Sequence, residues 1–110
     1  MTATIIANLE KLLGGPRDNA LLRYSLGNEH LKGGDPARAA ARFREAIARD
    51  ANFSAAWKLL GKALAESGQA AEALAAYETG IGVAEARGDV QAAKEMTVFA
   101  TRLKKQLAGG

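Results

Sequence analysis

An internal repeat with a period of about 34 residues constrains this chain more than any other feature of its sequence. Moving the 110-residue sequence by that distance places its middle on itself, so that Leu26 and Gly27 fall on Leu60 and Gly61. Glycines, small residues and aromatic residues match together, which chance seldom produces. The chain is therefore predicted to stack similar structural units side by side. The other matched pairs are Gly34 with Gly68, Ala37 with Ala71, Ala39 with Ala73, Ala41 with Ala75, Phe43 with Tyr77, and Ile47 with Ile81.

Each repeat unit has the pattern of two helices joined by a glycine turn. Apolar residues recur at helical spacing through both halves of each unit. In the first unit Gly34 ends one helix, and Asp35 followed by Pro36 has the residue types that cap and begin the next. In the second unit Ser54 is predicted to cap the start of the first helix, and Gly68 supplies the turn at the end of that helix.

Large and small residues alternate at fixed offsets in the second unit, at Trp57, Leu60, Gly61, Leu64, Ala73 and Tyr77. This pattern resembles the tetratricopeptide repeat, a helical hairpin. The resemblance covers two repeats, residues 20–53 and 54–87, and implies an all-α, right-handed α-solenoid of helix-turn-helix repeats. Arg23 stands where the first repeat of this family would have tryptophan. Gly27 and Gly61 each cost a helix about 1 kcal/mol relative to alanine, so we expect close helix packing to offset that cost.

Two repeats are too few to be stable alone, so the flanking segments are predicted to act as caps. Residues 1–15 form an N-terminal capping half repeat, because the apolar residues between Ile5 and Leu13 are in phase with the second helix of the first repeat. A C-terminal capping helix is predicted over residues 89–107, after a turn at Gly88 and a cap at Asp89. The whole chain, residues 1–110, is thus predicted to be one domain of about six helices.

Composition excludes several classes of protein. With 48% hydrophobic and 25% charged residues the chain is expected to fold as a globular domain, and without cysteine it has no disulfide scaffold, cysteine nucleophile or cysteine-bound zinc. No apolar run reaches the length of a membrane span, so a cytoplasmic protein with no membrane contact is expected. The formal charge is +3, but the basic residues alternate with acidic ones along most of the chain, so nucleic acid is not predicted as a partner.

No arrangement of residues indicates catalysis, a cofactor or a metal. The single histidine, His30, lies at a helix-packing position and has no second histidine or cysteine to share a metal. Neither Gly80 with Gly82 nor the Gly14 to Arg17 segment completes a phosphate-binding loop. Carboxylates are scattered over polar faces, where nothing raises their pKa for acid catalysis. We therefore predict a protein that is not an enzyme.

The resemblance implies a binding surface, because the first helix of each repeat in this family lines a concave groove that holds a peptide. Lys58 and Lys62 lie one helical turn apart on that face, which favours an acidic peptide or protein segment as partner. The lysine clamp with which some members bind chaperone tails is matched only at Asn28 and Lys94, so that ligand is not predicted. The predicted groove residues are Leu21, Tyr24, Asn28, Leu31, Lys32, Ala55, Lys58, Lys62, Ala65, Glu66, Lys94, Thr97 and Thr101.

Two other functions stay open from the sequence. A short solenoid with apolar ends could stack on a copy of itself, which would make the chain a self-associating structural or assembly subunit. An enzyme of unrecognised type is the second alternative. Self-association predicts concentration-dependent sedimentation, whereas an enzyme predicts turnover that depends on His30.

Overall fold

The computed structural model describes residues 2–109, and these residues form six α-helices and no β-strand. Connections of two to nine residues separate the helices. Their bounds are α1 Thr2–Glu10, α2 Ala20–Lys32, α3 Pro36–Arg49, α4 Ser54–Glu66, α5 Ala70–Arg87 and α6 Val90–Gly109.

The helices follow one another in space as they do along the chain. Each helix packs against the next, and the alternate helices α2, α4 and α6 also touch, so these three form one layer with α3 and α5 behind them. The resulting particle is elongated, with principal extents of 43 × 30 × 19 Å. The all-α solenoid expected from the repeat is confirmed.

Several helix ends form as their residue types predict. The carboxylates of Asp35 and Asp89 accept hydrogen bonds from the backbone N–H groups of Arg38 and Ala92, which caps α3 and α6. Gly88 ends α5 with a left-handed backbone at φ 77°, a conformation that glycine adopts at little cost.

The predicted cap at Ser54 is wrong. Phe53 occupies the cap position of α4 without a side-chain hydrogen bond, and Ser54 is the first helical residue. The buried Ser54 hydroxyl instead donates to Asp89 Oδ2 at 2.8 Å, which ties the start of α4 to the start of α6.

Two terminal helices also differ from their predicted lengths. Helix α1 ends at Glu10, and Leu12 and Leu13 lie in the turns that follow it, where both are still half-buried. Helix α6 begins one residue after Asp89 and extends past residue 107 to Gly109.

The core depends on aromatic rings that lie against helical glycines. Phe43 of α3 covers Gly27 of α2 so closely that a Cβ on the glycine would lie 2.6 Å from the ring. Tyr77 of α5 covers Gly61 of α4 in the same way, with still less space. Both rings are buried, so each glycine allows its hairpin to close around an aromatic side chain. The predicted close approach at both glycines is confirmed.

A group of ion pairs joins the N-terminal segment to the first repeat. Arg23 contacts Asp18 at 2.6 Å and Glu45 at 2.9 Å, and Arg42 connects Glu45 with Glu10 at 2.9 and 3.6 Å. The Asp18 side chain is only 8% exposed. The Arg23 guanidinium, together with the Gly14 backbone N–H, holds the pKa of Asp18 well below its usual range. At the position where the repeat pattern has tryptophan, Arg23 thus forms ion pairs with Asp18 and Glu45.

We expect Gly61→Ala and Gly82→Ala to change the free energy of unfolding in opposite directions. Both glycines are helical, but Gly82 is exposed and no neighbouring atom lies within 4 Å of where its Cβ would be. Gly82→Ala should stabilise the protein by up to about 1 kcal/mol through helix propensity. Gly61→Ala should destabilise it by about 1–3 kcal/mol, because the buried Tyr77 ring is overpacked. Urea titration measures both changes, and a stabilising Gly61→Ala would contradict the packing argument.

A second prediction concerns acid. Because the folded-state pKa of Asp18 lies below the ordinary value of 3.8, ionised Asp18 stabilises the fold at every pH above about 4. That contribution is lost as the pH falls from about 4 toward the lower folded-state pKa. Asp18→Asn should therefore lower the melting temperature at neutral pH, and the difference from the native protein should shrink in acid. A difference that stays constant from about pH 7 to about pH 2 would show that the charge of Asp18 is not its source.

Candidate functional site

An open cavity of about 500 Å³ lies between α4 and α6, on the layer that α2, α4 and α6 share. Helix α5 contributes the buried base of this cavity through one side chain. We call this space the α4–α6 cavity, and its lining residues are Lys58, Leu59, Lys62, Ala65, Glu66, Tyr77, Glu95 and Phe99.

Four of the predicted groove residues line the α4–α6 cavity together. Lys58, Lys62, Ala65 and Glu66 all come from α4, where spacings of three and four residues place them on one face. Ala55 is half-buried at the beginning of the same helix and does not line the cavity.

The predicted residues of α6 lie elsewhere. Lys94 and Thr97 line a separate surface cavity of about 630 Å³ with Glu85, Val90 and other residues at the end of the solenoid. The Thr97 hydroxyl donates to a carbonyl of its own helix, as does that of the exposed Thr101. The structure therefore does not bring these α6 residues together with Lys58 and Lys62.

The predicted residues of α2 also lie outside the α4–α6 cavity. Tyr24 is half-buried between two rings, with centroid distances of 5.8 Å to Phe43 and 4.7 Å to Phe53. Leu31 packs against the core, and Lys32 pairs with Glu29 at 3.3 Å. Of the other two predicted residues of α2, Asn28 is half-buried and Leu21 is 61% exposed.

Charged side chains line one part of the α4–α6 cavity, and they are not equivalent. Lys58 Nζ contacts Glu95 Oε1 of α6 at 2.8 Å, and this hydrogen bond is the main cause that lowers the pKa of Glu95. Lys62, one turn further along α4, has no ion-pair partner within 4.0 Å among residues 2–109. Among the described residues, the cavity therefore has one lysine in an ion pair and one without such a partner.

The base of the cavity is apolar. Leu59, Tyr77 and Phe99 form it, and the rings of Tyr77 and Phe99 lie 5.6 Å apart. Burial, followed by the charge of Glu66, raises the pKa of Tyr77 to about 12, so its hydroxyl stays protonated at neutral pH. An apolar base with charged groups beside it suits an amphipathic ligand.

Four cavity residues are absent from the predicted groove, namely Leu59, Tyr77, Glu95 and Phe99. The repeat pattern predicts only helix packing for Tyr77, and Glu95 is one of the carboxylates predicted to lie on polar faces. A signal was present for the pair on α6, because Glu95 and Phe99 are four residues apart and so lie on one face of a helix.

The arrangement of side chains is suited to non-covalent binding. Across residues 2–109 no three His, Cys, Asp or Glu side chains lie together in a way that could hold a metal ion. His30 is buried at 6% exposure and borders a different cavity, beside Glu10, Arg42 and Glu45. None of the helices in the described part has the length and apolar character needed to cross a membrane.

Comparison with known proteins identifies the family. The family model described as "Tetratricopeptide repeat" matches residues 24–90. The TPR repeat-containing protein PA0015 of Pseudomonas aeruginosa is 46% identical over 101 residues, which are 92% of this chain and 96% of that relative.

Solved structures agree with this result. Protein BPP2914 from Bordetella parapertussis superimposes with a TM-score of 0.81 at 39% identity, over 93% of this chain and 89% of the other. A tetratricopeptide repeat domain protein from Salinibacter ruber gives 0.71 at 30% identity, over 80% and 88% of the two chains. On the family match, the sequence identity and the shared architecture, the chain belongs to the tetratricopeptide repeat family.

Proposed function

We propose that this protein is a non-catalytic cytoplasmic adaptor that binds an acidic segment of a partner protein in the α4–α6 cavity. Tetratricopeptide repeat domains generally mediate protein–protein interactions, which supports the class of function. The single observation that carries the proposal is the combination of an apolar base with the unpaired Lys62 beside it.

Apolar contact is expected to supply most of the affinity. Burying one large apolar side chain contributes about 1.5–3 kcal/mol, whereas an exposed ion pair contributes about 0.2–1 kcal/mol. The ligand should therefore place a large apolar side chain over Tyr77 and Phe99. Its carboxylates, near Lys62, then select it over neutral and basic segments.

The proposed site is smaller than the groove predicted from the sequence. It keeps Lys58, Lys62, Ala65 and Glu66. The exposed residues Leu21 and Lys32 of α2 are a proposed extension of the groove for a longer ligand. This extension is supported by the position of α2 in the same layer as α4 and α6. Lys94, Thr97 and Thr101 border the end of the solenoid and are not included.

We expect Lys62→Glu to weaken binding of an acidic peptide more than Lys105→Glu does. The probe is an acetylated and amidated hexapeptide with a pair of glutamates on each side of a Phe-Leu dipeptide. Lost attraction and new repulsion at Lys62 should lower its affinity by roughly three- to tenfold, and more at low salt than at high salt. Amide chemical shifts measured by NMR give both the affinity and the location of binding.

Lys105→Glu is the matched control, because Lys105 is an exposed lysine of α6 outside the cavity and the net charge changes equally. Equal losses in the two variants would contradict a groove site and favour diffuse attraction of anions, nucleic acid included. Sedimentation at several concentrations tests the alternative that a second copy of the chain is the partner.

A further inference from the structure

The two lysines of the α4–α6 cavity differ because a neighbouring helix supplies a carboxylate to only one of them. Glu95 of α6 reaches across to Lys58 of α4, with Oε1 at 2.8 Å from Nζ, and Gln91 contacts the other carboxylate oxygen at 3.4 Å. Both partners of this bridge line the cavity. The Lys58 ammonium therefore already has a carboxylate of the protein itself where a ligand would approach.

We propose that Glu95 holds, in the free protein, the position that a ligand carboxylate takes in the complex, so that binding exchanges one carboxylate for another at Lys58. The inference rests on the proposed function and extends it, because it assigns Glu95 as an internal competitor that regulates access of acidic segments. Lys62 has no such competitor and remains the cation that attracts the ligand first.

The bridge is well placed for such an exchange. The side chains of Lys58 and Glu95 are 31% and 40% exposed, so water can solvate either group when the bridge opens. An ion pair with this exposure is weak enough for a ligand to replace it. Glu95, once released, keeps Gln91 as a partner one helical turn before it.

The apolar base links the exchange to the rest of the ligand. Phe99 follows Glu95 by one helical turn, so the carboxylate of Glu95 lies beside the aromatic base of the cavity. A ligand that places an apolar side chain over Phe99 brings its neighbouring residue to the position of Glu95. If that residue is acidic it can take over Lys58, whereas a neutral residue leaves Lys58 either bridged or unpaired.

Competition by Glu95 also gives selectivity. Because Lys58 is already neutralised, a small anion gains little by binding there, and only a segment that also fills the apolar base benefits from the exchange. The bridge thus reduces unspecific attraction of anions to this face of the protein.

The test compares Glu95→Gln with Glu85→Gln, using the same acidic hexapeptide and a version with glutamine in place of every glutamate. Glu95→Gln removes the competing charge and should tighten binding of the acidic peptide by about two- to fivefold. Binding of the glutamine peptide should tighten less than binding of the acidic peptide. Glu85→Gln makes the same net charge change at an exposed residue outside the cavity and should have no effect.

A double-mutant cycle locates the effect at the lysine. With Lys58→Met already present, Glu95→Gln should no longer tighten binding of the acidic peptide. A second readout, the pKa of Glu95 followed by carboxyl carbon NMR, does not depend on affinity. This pKa lies below its usual range in the free protein and should rise when the peptide is bound.

Two results would overturn the inference, provided that Lys62→Glu still weakens binding. One is that Glu95→Gln binds the acidic peptide no better than the native protein, and the other is that the pKa of Glu95 stays low in the complex. If Lys62→Glu also has no effect relative to Lys105→Glu, the proposed function itself fails. The two failures are thus distinguished by the same titrations.

Discussion

The contact between an aromatic ring and a helical glycine is the constraint on which the rest of this structure depends. Gly27 with Phe43, and Gly61 with Tyr77, set how closely the two helices of each hairpin approach. That distance determines where the second helix lies and therefore where the next hairpin can pack. The same Tyr77 ring also forms the base of the α4–α6 cavity, so the contact that closes the second repeat also shapes the proposed binding site.

Charges replace apolar packing at the N-terminal end of the solenoid. Arg23 stands where the repeat pattern has tryptophan, and it binds Asp18 from the preceding turn and Glu45 from α3. Burial opposes ionisation of Glu45, but hydrogen bonds from Arg23 and Arg42 outweigh it and keep its pKa below the usual value. Directional contacts therefore tie a first repeat without its tryptophan to the preceding turn and also connect its own two helices.

The sequence predicts the fold well because its signals are local. The repeat, the helical glycines and the caps at Asp35 and Asp89 each involve residues close together in the chain or on one hairpin. Of the predicted groove residues, only those of α4 line the α4–α6 cavity, and there helical periodicity alone places Lys58 and Lys62 on one face. The contribution of Glu95 and Phe99 depends on how α6 is rotated and shifted after the 18-residue helix α5, and that is set by tertiary packing. Ser54 was misassigned for the same reason, since its partner Asp89 is distant in the sequence.

Packing of each helix mainly against its neighbours in the chain has a consequence for folding. Contacts between residues that are close in the sequence cost little loop-closure entropy. The chain should therefore fold quickly, and folding can begin at more than one hairpin. The same connectivity lets the ends open without disturbing the middle. Helix α1 has no fully buried residue and packs mainly on α2, so its amides should exchange with solvent hydrogen sooner than those of α4, which has neighbours on several sides.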